Sequence, residues 1–269
     1  MTDWLDYPAG GRLRSGARVK ILRDVPSPGL GIRRDLLACL PPSYAQSDQQ
    51  YPVVYMQDGQ NLFDEATSFA GSWNAAAIVE TLAAEGREAI IVGVPNAGPR
   101  RIDEYSPFAD GFRGGGLARD YLQFLMNRVK PAVDAAFRTL PGARTTGLLG
   151  SSMGGLLSLF GFFERPDVFG LAGAMSPAFW FARRAIFPYV EKRPFHGGRL
   201  WLDAGTSEGP FALADVARMR DALIEKGYRL GRDLECVLET GGRHDEASWG
   251  RRLPATLRFM LADATATPA

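Results

Sequence analysis

Ser152 and His244 are the residues whose types and spacing best suit joint chemistry. Ser152 stands in Gly150-Ser151-Ser152-Met153-Gly154. Glycines two before and two after a serine let the backbone reverse without a Cβ clash, the G-x-S-x-G pattern of a nucleophile displayed between a strand and a helix. Ser152 alone fits that register, because Ser151 would need small residues where Leu149 and Met153 stand. An apolar run at 145–149 leads in, a helix-like run at 156–163 leads out, and Gly155 gives the new helix room beside its strand.

A serine hydroxyl is a weak nucleophile and needs a base, most often an imidazole that titrates near the working pH. The chain has two histidines. His244, in Gly241-Gly242-Arg243-His244-Asp245, follows the last strand-like run. It therefore occupies the last place in the order nucleophile, acid, histidine, each on a loop at the carboxyl end of a strand. His196, in a polar loop before a strand, reads as a solvated loop residue. The imidazole needs a carboxylate to fix its tautomer. Glu208, in Gly205-Thr206-Ser207-Glu208-Gly209, lies past a strand end and is the expected acid; Asp203, still inside that strand, is the alternative and reads as a buried strand-end acid. Asp245 and Glu246 read as first-turn helix acids that suit the positive end of the macrodipole.

Acyl transfer also needs donors aimed at the developing oxyanion. The amide of Met153 is one, and the turn Asp58-Gly59-Gln60-Asn61 places the amide of Gln60 as the second. Phe179 and Trp180, which follow a strand on the same side, are candidates to line a substrate pocket, with core packing as the alternative. Arg101 is a candidate for an anionic substrate group, with an ion pair to Glu104 as the alternative. Trp73, Trp249, Met126 and Met219 read as core.

The elements that must position these groups alternate from about residue 50. Strands are expected at 51–56, 89–94, 145–149, 169–175, 199–204 and 233–239. Helices are expected at 72–85, 117–137, 156–163, 211–225 and 247–261, with a helix-rich connection at 178–191. Residues 96–116 read as a loop that could form a rim or small lid. Before residue 50, runs at 17–24 and 32–40 predict an antiparallel hairpin around Pro26-Ser27-Pro28-Gly29. Continuous apolar strands separated by helices imply an α/β fold with a mostly parallel central sheet covered on both faces.

The 269 residues, 46% hydrophobic and 23% charged with a net charge of +1, suit one sizeable core. We expect a single domain over 1–269, with 1–16 as an N-terminal extension and 262–269 as a frayed tail. Near-neutral charge and scattered arginines argue against nucleic acid as a partner. Cys39 and Cys236 lie in apolar runs without C-x-x-C spacing and read as buried reduced thiols. Two histidines so far apart suit no three-histidine or H-E-x-x-H site, so no metal or other cofactor is expected. The first 16 residues lack an apolar signal-peptide core and no run reaches a membrane span, so a cytoplasmic location is expected.

Several separated segments together resemble the esterase family of α/β hydrolases, which includes esterase D, feruloyl and acetylxylan esterases, mycolyltransferases and enterochelin esterases. They are Val54-Tyr55-Met56-Gln57-Asp58-Gly59-Gln60-Asn61, Arg101-Ile102-Asp103-Glu104-Tyr105, Gly150-Ser151-Ser152-Met153-Gly154-Gly155, Met175-Ser176-Pro177, Gly205-Thr206-Ser207-Glu208, and His244 with Trp249. The Asp-Gly-Gln-Asn and Arg-x-x-Glu-Tyr segments look most like the enterochelin-esterase-like branch. The resemblance implies an α/β-hydrolase fold and a cofactor-independent serine esterase acting on a small-molecule ester. By it Ser152 is nucleophile, His244 base and Glu208 acid, with Gln60 and Met153 as oxyanion donors. Acyl transfer and siderophore-ester hydrolysis suit the same residues, and a non-catalytic binding protein on this fold is the alternative of another class. The separate N-terminal domain of enterochelin esterases has no counterpart in this sequence.

Overall fold

The structure, a computed structural model, describes residues 3–8 and 18–264. A nine-stranded sheet runs through it in the order β1-β2-β3-β5-β4-β8-β9-β10-β11. Its first three strands are β1 (Leu5–Asp6), β2 (Arg18–Ser27) and β3 (Ile32–Leu40). They pair antiparallel with one another, and β3 pairs antiparallel with β5 (Ile90–Val94). The expected hairpin is there, with a register shift between Leu22 and Val25. The strand β1 was not legible in the sequence, because two residues carry no periodicity.

From β5 onward every pairing is parallel: β4 (Val53–Gln57), β8 (Thr146–Ser151), β9 (Leu171–Met175), β10 (Arg199–Gly205) and β11 (Leu234–Glu239). Side chains alternate across a strand. Accordingly Val53 and Tyr55 join the apolar cluster on one face, and Val54 and Met56 the cluster on the other. One face is covered by α1 (Ala75–Ala84) and α9 (Glu246–Met260), through Ala76, Val79, Leu253 and Leu257. The opposite face is covered by α3 (Ala118–Phe124), α4 (Lys130–Ala136), α5 (Met153–Glu164), α7 (Ile186–Glu191) and α8 (Pro210–Lys226).

Three departures from expectation have local causes. The segment 96–116 is not all loop: it contains α2 (Arg101–Tyr105) and a small hairpin of β6 (Ala109–Asp110) and β7 (Gly114–Gly115). The long helix beginning at Ala118 has a π-turn at Leu125–Val129 between α3 and α4. Pro131 has no amide to donate to the carbonyl four residues back, so the helical ladder must re-register just there. The tail does not fray at 262: Ala264 is buried and its amide donates to the Leu261 carbonyl at 3.1 Å. The remainder of that tail, and residues 1–2 and 9–16 of the N-terminal extension, lie outside the described residues.

Trp180 precedes the short helix α6 (Phe181–Arg184), in which Ala182, Arg183 and Arg184 all have positive φ. Cys39 and Cys236 are both unbonded thiols, on β3 and β11. Burial pushes their thiols up, to about 12 and about 11. Among the described residues no helix is long and apolar enough to cross a membrane.

Candidate active site

The turn from β8 into α5 is held from three sides. Ser152 has φ 55° and ψ −118°, a conformation that L-residues rarely adopt. Its amide donates to the Met175 carbonyl and its carbonyl accepts from the Ala178 amide, both at 2.9 Å. A Cβ on Gly150 would collide with Gln57 Oε1 and lie 2.9 Å from the Gly154 carbonyl carbon, so the spacing read from the sequence is sterically required. Gln57 is itself fixed by a 2.9 Å hydrogen bond from Ser158 Oγ.

His244, on the turn between β11 and α9, places Nε2 2.9 Å from Ser152 Oγ. Its Nδ1 lies 2.8 Å from Glu208 Oε2. With the Nδ1 proton donated to that carboxylate, Nε2 is left to accept from the serine hydroxyl. The His244 ring stands edge-on to Trp249 at 5.0 Å. Glu208 Oε1 accepts from Ser176 Oγ at 2.6 Å and from the Gly205 amide at 2.7 Å. Burial raises the Glu208 carboxyl, but the hydrogen bonds from His244, Ser176 and Gly205 outweigh it and hold the group below the ordinary glutamate range.

Asp203, the alternative acid, is directed elsewhere. It is fully buried and accepts from Trp201 Nε1 at 2.8 Å and the Ser176 amide at 3.0 Å. Burial pushes it up to about 6, in spite of Arg252 nearby. Asp245 is the N-cap of α9, one place before the first turn, and accepts from the Ser248 amide at 2.8 Å, while Glu246 is the first-turn acid.

The facing wall is the turn after β4. Asp58 (φ 55°) leads into the one-turn segment Gly59–Asn61, whose first internal bond is Asn61 N to the Asp58 carbonyl. The amide of Gln60 precedes that bond, and Met153 opens α5, so helix geometry leaves both N–H groups without an intrahelical acceptor. Arg101 holds this turn with two 2.7 Å bonds to the Asp58 carboxylate, and Asn96 Nδ2 adds a third at 2.6 Å. The Asn96 amide donates to Gln60 Oε1 at 3.2 Å, and the Asp58 amide to Tyr105 Oη at 3.0 Å.

These contacts correct one expectation. Arg101 does not pair with Glu104, which instead takes two bonds from the buried Arg34, at 3.2 and 2.7 Å. The Arg101 guanidinium pairs with Asp58 and lines the cavity beside Ser152.

A cavity of about 770 Å³ opens in front of Ser152, walled by Gln60, Phe69, Pro95, Arg101, His244 and Trp249. Phe179 does not reach it: the side chain is wholly buried against Phe187, at 5.8 Å between ring centroids. Trp180 is half-exposed under Arg113 and lies outside the cavity lining. Phe69, 89% exposed at the cavity, was missed because nothing in its sequence neighbourhood separates it from an ordinary loop residue. Trp249 is buried as expected but is a cavity wall as well.

His196 is not a solvated loop residue. It packs half-buried on Phe162 at 4.5 Å, and burial lowers its pKa. It precedes β10, whereas Glu208 follows it, so the length of that strand separates them. Arg252 and Ser176, which both touch the Glu208 niche, were also missed. Arg252 shares the apolar stripe of α9 with Trp249, Leu253 and Thr256, and an arginine on a buried helix face is a signal that could have found it.

The chain is similar to several known proteins. The uncharacterised protein YbbA of Bacillus subtilis is 27% identical over 82% of this chain and 90% of its own. The siderophore triacetylfusarinine C esterase of Aspergillus fumigatus is 38% identical over 48% of this chain and 44% of its own. Among solved structures, the siderophore hydrolase EstA of Aspergillus nidulans superposes with a TM-score of 0.71 at 20% identity, over 95% of this chain and 96% of its own. The Esterase family model matches residues 27–260, and the chain is a member of that α/β-hydrolase family, a hydrolase acting on esters.

Proposed function

We propose that the protein is a serine carboxylic-ester hydrolase working through an acyl-enzyme, with Ser152 as nucleophile, His244 as general base and Glu208 as the acid. The observation that carries this is the unbroken line from Ser152 Oγ through the His244 ring to the Glu208 carboxylate, with steps of 2.9 and 2.8 Å.

In the first half-reaction Oγ attacks the ester carbonyl carbon while its proton passes to His244 Nε2. The carbonyl oxygen becomes an oxyanion, accepting from the amides of Met153 and Gln60; each such donor is worth on the order of 3 kcal/mol of barrier. Collapse expels the alcohol, which takes the proton from Nε2. In the second half, water gives a proton to Nε2 and attacks the acyl-enzyme, and Ser152 recovers its proton as the acid leaves. Glu208 stays ionised throughout and stabilises the imidazolium.

The relative named for triacetylfusarinine C places siderophore esters among the substrates to test, beside short acyl esters.

The test is a p-nitrophenyl acetate assay with millisecond mixing. A burst of p-nitrophenol equal to the enzyme concentration is expected, with a phosphonate adduct on Ser152 seen by mass spectrometry and neither signal in Ser152→Ala. A burst that survives Ser152→Ala would overturn the assignment, and no burst with no adduct in the wild type would favour a binding role.

A further inference from the structure

Behind Glu208 lies a buried polar niche that the proposed chemistry does not use directly. We infer that Ser176 and Arg252 are positioning residues, a buried hydroxyl–guanidinium clamp that holds the Glu208 carboxylate against His244. This rests on the reading of Glu208 as the acid.

The hydrogen bonds leave the clamp one arrangement. Ser176 Oγ accepts from Trp249 Nε1 at 3.0 Å and from Arg252 Nη2 at 2.8 Å. A hydroxyl has two lone pairs and one proton. With both lone pairs occupied, its proton is committed to Glu208 Oε1, 2.6 Å away. Oε2 is thereby left for the imidazole.

The backbone is bent to achieve this. Ser176 has φ 41°, and its amide is tied to the Asp203 carbonyl and to Asp203 Oδ1, each at 3.0 Å. Strain of this kind in a non-glycine residue costs on the order of 1–3 kcal/mol and collects at functional sites.

Arg252 is a poor choice for packing alone. It is buried, and among the described residues its Nε and Nη1 have no hydrogen-bond partner. A buried cation is expensive, and an apolar side chain of similar volume usually serves stability as well. What the guanidinium supplies is charge. It lies 3.5 Å from Asp203 Oδ1, 3.7 Å from Glu208 Oε1 and 3.7 Å from Glu239 Oε2.

The charges facing the niche are Asp203 from β10, Glu208 from the turn after it, Glu239 from β11, His244 from the next turn, and Arg252 from α9. Arg251, also on α9, holds the other Glu239 oxygen at 3.2 Å. Without Arg252, Asp203 and Glu208 would be like charges in one dry pocket, and one of them would take up a proton. Burial already draws that proton toward Asp203.

The experiment compares Ser176→Gly, Arg252→Gln, Arg252→Lys and Glu208→Gln in the full chain. Glycine suits the Ser176 backbone and removes only the hydroxymethyl group. Hydrolysis of p-nitrophenyl acetate is followed from pH 5 to 9, with active sites counted by phosphonate endpoint.

We expect Ser176→Gly and Arg252→Gln each to lower kcat per site roughly 10- to 100-fold, with KM within about twofold. Without the cation the Asp203–Glu208 pair keeps a proton to higher pH, so in Arg252→Gln the acid limb of kcat/KM moves to higher pH by about half a unit or more. Arg252→Lys, which keeps the charge, returns the limb to its wild-type place.

Folded variants with wild-type kcat per site and superposable pH profiles overturn the clamp. If Arg252→Gln does not fold, an unchanged kcat in Ser176→Gly overturns it alone. Wild-type turnover by Glu208→Gln is a different failure, that of the acid assignment itself. Inactive Glu208→Gln beside fully active clamp variants refutes the clamp and leaves the acid in place.

Discussion

His244 and His196 form an internal control, because one ring touches Ser152 Oγ and the other packs on Phe162. His244→Ala removes the proton acceptor and should lower kcat on the order of 10⁴-fold. His196→Ala removes a half-buried ring from an aromatic shelf and should cost stability while leaving turnover per active site within about twofold. Stopped-flow esterase assays with site titration, beside thermal melts, separate the two effects. Equal losses of turnover in both would undo the assignment. Glu208→Gln belongs to the same comparison, and a loss on the order of 10³-fold or more is expected because an amide cannot balance the imidazolium. The residues that took part in this site were legible where a reacting atom must stand at a strand end. For Phe179 the core-packing reading is the one the structure bears out, since one turn of backbone buries this ring and leaves that of Trp180 half-exposed.

The turns after β10 and β11 act as one element, since each carries one partner of the Glu208–His244 pair. They are laced together by Ser207 N to the Gly242 carbonyl at 3.0 Å and Gly241 N to Thr206 Oγ1 at 2.8 Å. Gly205 is the contact point. A Cβ there would collide with the Gly242 carbonyl and lie 2.8 Å from the Arg243 amide nitrogen. Gly205→Ala should therefore pry the two turns apart, costing about 1–3 kcal/mol of stability and, through misalignment, roughly 10- to 100-fold in kcat. Gly231→Ala is the matched control: φ is 74° but among the described residues nothing lies within 4 Å of the added methyl, so about 1–2 kcal/mol of strain is expected with kcat unchanged. Urea melts and kcat measured together decide it, and equal kcat in the two variants would show that the lacing does not set the geometry. At this scale the long elements were readable because short apolar runs bounded by turn residues announce a strand, and apolar residues spaced three or four apart announce a helix. The short helix α2 was not, since five residues of Arg-Ile-Asp-Glu-Tyr span little more than one turn. Nor was the π-turn, whose cause, Pro131, is visible while its effect on the ladder depends on the packing of the whole helix.

Over the whole molecule, the parallel half of the sheet brings its carboxyl ends to one edge. Asp58 follows β4, Asn96 follows β5, Ser152 follows β8, Ser176 follows β9, Glu208 follows β10 and His244 follows β11. That edge was foreseeable from strand order alone; the buried ionic niche beneath it was not, because Arg252 and Asp203 are far apart in sequence and their pairing needs the sheet. The niche should leave its mark on global stability. Asp203 ionises at about 6 in the fold against 3.8 ordinarily, so the folded chain holds a proton there that the unfolded chain releases. Stability rises with pH wherever the unfolded state binds more protons, and here the reverse applies. The contribution of Asp203 is thus full below about pH 4, is lost as pH rises through about 6, and amounts to on the order of 2–3 kcal/mol. Asp203→Asn keeps the shape and removes the titration. Its unfolding free energy relative to wild type should therefore improve between pH 4 and pH 7 by that amount, as read from urea denaturation at several pH values. A difference between the two proteins that stays flat across this interval would show that Asp203 remains ionised in the fold, paired with Arg252 throughout.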